Sequence, residues 1–185
     1  MSDSHPSTFV LGLGNPILTD GGVGIHAARA VAACLGSQAD LADDDGFAEA
    51  SVGGLRLRRL LNGDERVILV DVIQSTNGWP GDIYWLLPGA SLAGASAIGS
   101  GPPPSLDLNG SSTKYAGSTH DLSLAGALSW GRQNSLALPD DDHILIVAVE
   151  AQDVLTFGET CTPAVAAAVP RAADLVFDLL KELNG

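Results

Sequence analysis

The sequence predicts an α/β fold, a single three-layer domain whose twisted, mostly parallel sheet carries helices on both faces. Three observations predict it. The run Arg66-Val67-Ile68-Leu69-Val70-Asp71 is apolar at consecutive rather than alternate positions, the pattern of a strand buried on both faces of a parallel sheet. Residues 143–149 form a second run of the same kind. Between and around them lie segments with helical spacing, and a glycine-rich turn joins the first apolar run to the first of these.

The elements follow in order. Phe9-Val10-Leu11-Gly12-Leu13 is an apolar strand that breaks into Gly14-Asn15-Pro16-Ile17-Leu18-Thr19-Asp20-Gly21-Gly22. Val23, Ala27, Ala30, Val31 and Cys34 then recur at helical spacing, predicting a helix over 23–35 that stops at Gly36. Residues 46–51 are a short strand after the acidic turn Asp43-Asp44-Asp45, and 55–61 a short helix with Arg56, Arg58 and Arg59 on its wet side. After the strand at 66–71, residues 82–87 form another behind the turn Gly78-Trp79-Pro80-Gly81. Residues 89–118, rich in Gly, Ser and Pro, read as one long surface loop within a single domain spanning 1–185. Residues 121–130 are a helix with Ser118 or Thr119 as its cap, and 163–183 a closing helix in which Pro170 implies a kink or a break.

Composition narrows the partners. Twenty-two acidic against nine basic residues give a net charge of -13 over 185 residues, which repels nucleic-acid backbones and anionic membrane surfaces. A basic peptide or a metal cation is accommodated more easily, and the same charge serves solubility. The hydrophobic fraction of 45% supplies a substantial core. No apolar run reaches the ~20 residues that span a bilayer, and the opening residues lack a secretory pattern, so a cytoplasmic monomer is expected. Cys34 and Cys161 have no C-x-x-C spacing and read as idle thiols.

Chemistry concentrates at three positions. Asp20 lies in the loop after the first strand, where open α/β sheets build their sites, although an aspartate just before a helix is also an ordinary N-cap, and the segment by itself favours the cap. Asp71 closes an apolar run at the carboxyl end of a central strand and is the stronger candidate, since turn residues follow it. His120, in Ser118-Thr119-His120-Asp121, can act as a metal ligand or base, with Asp121 or a backbone group orienting its second nitrogen. His26 and His143 have weaker claims. Two carboxylates and an imidazole suit zinc, nickel or iron. No G-x-S-x-G elbow is present, and Ile17 stands where a dinucleotide fingerprint requires its third glycine.

These residues together resemble the hydrogenase maturation protease family, endopeptidases that trim the C-terminal extension of a nickel-iron hydrogenase large subunit after nickel insertion. Gly12-Leu13-Gly14-Asn15 through Asp20, Gly22 and Gly24 is similar to the family's opening motif, 67–71 to its second, and Thr119-His120-Asp121-Leu122 to its third. Val149-Glu150 and Cys161-Thr162-Pro163-Ala164-Val165 resemble its closing segment. The resemblance implies Asp71 and His120 as the catalytic, nickel-contacting pair, with nickel supplied by the precursor that is also the partner. The third family ligand is an acid at the position of Gly21, so Asp20 is carried along as a substitute ligand or a support for the loop. The glycine leaves open a non-catalytic member that binds the precursor without cleaving it. Gly12-Leu13-Gly14-Asn15-Pro16 also resembles the opening of bacterial peptidyl-tRNA hydrolases, a distant alternative weakened by the absence of that family's histidine segment.

Overall fold

The computed structural model describes residues 7–35, 46–50, 63, 65–75, 78–87, 96–98 and 131–184. Six strands form one sheet: β1 (Thr8–Leu13), β2 (Gly46–Ala50), β3 (Arg66–Ile73), β4 (Ile83–Leu86), β5 (Ser96–Ile98) and β6 (Ile144–Glu150). Their spatial order is β2-β1-β3-β6-β4-β5. The first four strands in this order are parallel, while β4 runs antiparallel to β6 and β5 antiparallel to β4. Crossovers account for the parallel half, and the β3 to β4 turn and the β4–β5 pairing for the antiparallel edge.

Two helices, α1 (Val23–Leu35) and α2 (Pro163–Asn184), pack together on one face of this sheet. Strand alternation makes that face: Val10, Ile68, Val70, Ile83, Val147 and Val149 meet Val23, Ala27 and Val31 of α1 and Val165, Ala168 and Val176 of α2. The other face is equally apolar and buried, through Leu11, Val67, Leu69, Ile73, Tyr84, Ile144 and Ile146, with Leu138 packed against it. The consecutive apolar residues of β3 and β6 therefore feed two cores, one on each side. Arg66 donates to the Leu183 carbonyl in the last turn of α2, where a cation complements the exposed carbonyls.

The helix predicted over 23–35 has the observed bounds of α1. Two expectations are corrected. The loop predicted over 89–118 contains strand β5, which extends the antiparallel edge; its remaining residues lie outside those described. Pro170 does not break the closing helix, because it sits on an exposed face of α2 where water can take the carbonyl that loses its helical donor. Cys34 projects from α1 as an exposed thiol. The helices predicted over 55–61 and 121–130 lie outside the described residues.

Glycine at position 24 sets the depth at which α1 sits on the sheet. A Cβ there would collide with the carbonyl oxygens of both Leu13 and Val70, so the helix touches β1 and β3 backbone to backbone. Gly24→Ala gains about 1 kcal/mol of helix propensity but incurs an overpacking cost of about 3 kcal/mol. The expected outcome is net destabilisation, measured as a lower urea midpoint with an unchanged denaturant slope.

Candidate functional site

The carboxyl ends of β1, β3 and β6 lie side by side, and the loops that leave them form one rim. Register places Gly12 beside Val70, and Asp71 beside Ala148. Asp71 occupies the sixth of eight positions in β3, so the strand continues through Val72 and Ile73 beyond it. It shares the sheet face of Leu69 and Ile73, opposite to α1 and α2.

Asp71 is partly buried, and its Oδ1 accepts the Val72 amide at 2.8 Å. Withdrawal from water pushes its carboxyl up to about 7, against the smaller opposing pull of the Val72 amide. A proton held that loosely near neutrality is readily displaced by a cation.

Two more polar side chains share the face. Tyr84 pairs with Ala148 from the side opposite Asp71, so a small residue separates the two across the sheet. Its hydroxyl is buried without a hydrogen-bond partner among the described residues. Burial, then the negative charges of Glu150 and Asp82, hold it firmly protonated. Glu150, 1% exposed, ends β6 on the same face and ties down the chain leaving β3: its oxygens accept the Ser75 amide at 2.6 Å and the Ser75 hydroxyl at 3.0 Å. Burial raises the Glu150 carboxyl, the two Ser75 bonds lower it, and Asp82 raises it further, with a net upward shift. Gly78 is the space this carboxylate occupies, since a Cβ at 78 would overlap it.

Asp20 has a different setting. It is fully buried in a short 3-10 turn, Thr19–Gly22. Its Oδ2 accepts the amides of Gln152 at 2.9 Å and Asp153 at 2.8 Å and the Thr162 hydroxyl at 3.0 Å, and its Oδ1 accepts the Thr162 amide at 2.7 Å. The cap expected for α1 is therefore absent. The carboxylate instead sits at the start of α2, where a negative charge complements the helix N-terminus. Of the two roles open to Asp20, ligand or loop support, this geometry describes the second, because four donors already use its oxygens.

Gly21 is not held in a left-handed conformation, so its φ does not by itself exclude a side chain. A Cβ there would lie 3.1 Å from Leu18 Cβ, a contact that a few tenths of an ångström relieves. Cys161 is a poor nucleophile, its thiol pushed up to about 11 by burial and by the nearby Asp20 charge. His120 and Asp121 lie outside the described residues, and among the described residues no group of three His, Cys, Asp or Glu side chains is gathered to hold a metal. Sequence reasoning missed Tyr84, whose short strand carries no motif. A polar residue at a core-facing position of a strand next to β6 is the signal that could have found it.

No protein-family model matches the chain, and no curated protein sequence matches it. Solved structures do match. The hydrogenase maturating endopeptidase HybD from E. coli superposes with a TM-score of 0.65 at 25% identity, over 95% of this chain and 93% of that one. The NiFe hydrogenase maturation protease HybD from Thermococcus kodakarensis gives a TM-score of 0.60 at 19% identity, covering 94% and 99% of the two chains. An endopeptidase from Escherichia coli gives 0.64 at 24% identity, covering 95% and 93%. The likeness to hydrogenase maturation proteases thus extends from short motifs to the fold of nearly the whole chain. Among the described residues, no helix is long and apolar enough to cross a membrane.

Two predictions follow from the carboxylates. Asp20→Asn replaces an oxygen that accepts amide protons by an NH2 group that faces them, and is expected to destabilise the fold by about 3 kcal/mol, read from urea unfolding. Asp71 and Glu150 act through pH. Both hold protons in the folded chain that the unfolded chain has already released, so the contribution of these two groups to stability is fully present below about pH 4 and is lost as pH rises towards 7. Asp71→Asn should flatten this slope in part, and Glu150→Gln should flatten the remainder, in unfolding curves of metal-free protein across the window.

Proposed function

We propose that this chain, built on the fold of the hydrogenase maturation proteases, is an endopeptidase that removes the C-terminal extension of a nickel-iron hydrogenase large-subunit precursor. Asp71 carries the reading. It is a partly buried carboxyl with a proton poised near neutrality, at the carboxyl half of the central strand, on the residue that the sequence resemblance makes a nickel contact. His120 is the second contact in this reading, and imidazole with carboxylate suits nickel.

Nickel here belongs to the substrate. A precursor already holding the ion presents a cation to Asp71, which gives up its proton to bind it; a nickel-free precursor offers no such interaction. The discrimination is a difference in affinity between the two precursors, and it lets cutting wait for metal insertion. Asp20 supports the loop that carries Gly21, and Glu150 holds Ser75 and so shapes the exit from β3. The cytoplasm, where such a precursor is made, is the compartment this reading requires.

Gly21 favours a second reading, a member that binds the precursor without cutting it, because the resemblance places an acid there. Release of the C-terminal peptide, followed by mass spectrometry, separates the two. The first reading expects release from nickel-loaded precursor, none from nickel-free precursor, and a loss of about 100-fold in kcat/KM for Asp71→Asn. Binding without release supports the second, and neither binding nor release refutes both. Since the backbone at 21 is not left-handed but is buried against Leu18, Gly21→Glu should fold with a lowered melting temperature and lower KM for nickel-loaded precursor.

A further inference from the structure

Three large apolar side chains stand in water at the tips of two loops on the same rim. Ile17 is 52% exposed, Leu155 80% and Phe157 78%. The two loops are clipped into a short antiparallel ribbon. Leu18 bridges Phe157, Gly158 N donates to Ile17 O at 3.1 Å, and the Thr19 amide and hydroxyl both donate to Thr156 O, at 3.1 and 2.7 Å. Asp153 Oδ1 closes the turn by accepting the amides of Leu155 and Thr156 at 3.0 and 2.9 Å. Behind the ribbon, the buried Asp20 carboxylate anchors both loops.

The exposure therefore does not come from slack chain. Holding three apolar side chains in water on a hydrogen-bonded ribbon costs solvation energy, and such a patch is expected where a partner covers it. We infer that Ile17, Leu155 and Phe157 form the docking surface for an apolar segment of the precursor protein, flanked by basic residues. The inference rests on the proposed function and adds to it the place where the precursor is held.

Three observations select this occupant. The ribbon leaves β1 and β6, the two strands that flank β3, so a chain seated on it lies on the rim that carries Asp71. The three side chains expose on the order of 400 Å², about half of the ~800 Å² per partner that a stable interface buries. That is too little for a lasting dimer of this chain and sufficient for a substrate that must leave after cutting. Asp153 and the exposed Glu159 border the patch in a chain of net charge -13, which favours a basic flank on the partner.

The test compares Leu155→Ser, Phe157→Ser and the double variant with Leu87→Ser. Leu87 is also exposed, but it follows β4 at the opposite end of the sheet. KM and kcat are measured on nickel-loaded precursor, melting temperature on each variant, and self-association by sedimentation equilibrium. The expected result is a KM raised about 10-fold by each single substitution and more by the double, with kcat and melting temperature held and Leu87→Ser like the parent. An unchanged KM in the double variant, with a parent that cleaves, overturns the docking surface and leaves the proposed function standing. A parent that neither binds nor cleaves the precursor overturns both. A parent dimer that Phe157→Ser dissociates identifies a second copy as the occupant and overturns the inference.

Discussion

The buried carboxylate of Asp20 is the contact on which the rim depends. Its four donors come from two places far along the chain, residues 152–153 just after β6 and Thr162 at the head of α2. One side chain thus joins the loop after β1, the loop after β6 and the start of the last helix. A buried charge is tolerable only when its hydrogen-bonding capacity is met, and here it is met mainly by backbone amides, which cannot move without moving their strands and helix. The same anchoring that holds α2 in register with β1 also holds the ribbon carrying Ile17 and Phe157.

The two faces of the sheet divide the work. One is closed by α1 and α2, with Gly24 letting helix and sheet meet backbone to backbone. The other is apolar through its middle and turns polar towards the carboxyl rim, where Asp71, Tyr84 and Glu150 interrupt it. Burial there works against charge. It raises both carboxyls, and it leaves the Tyr84 hydroxyl without a partner among the described residues. Such a face costs stability in the free protein, since its carboxyls and hydroxyl give up water without full replacement.

Much of the fold was legible in local pattern. The consecutive apolar residues of β3 and β6 announced central parallel strands, since a strand covered on both faces has no polar side to show. The 3.6-residue recurrence from Val23 to Cys34 set the bounds of α1. Asp71 stood out as a candidate for a related reason: a charge interrupting an otherwise apolar run has few structural explanations. Strand β5 was hidden because a short edge strand in a Gly- and Ser-rich stretch forms only when β4 offers its free edge.

The sequence by itself determined the mostly parallel sheet, its central strands, the rim on which a site could form and Asp71 as its strongest candidate, because these follow from periodicity and from which residues water excludes. Tertiary structure alone decided what Asp20 does, since its partners lie more than 130 residues away and local spacing pointed to the wrong helix. It decided that Gly21 lies outside the left-handed region, because φ depends on how the turn is held. It also set Tyr84 and Glu150 on the face of Asp71, and Leu18 beside Phe157, since register between strands and bonding between loops are properties of pairs that no single segment encodes.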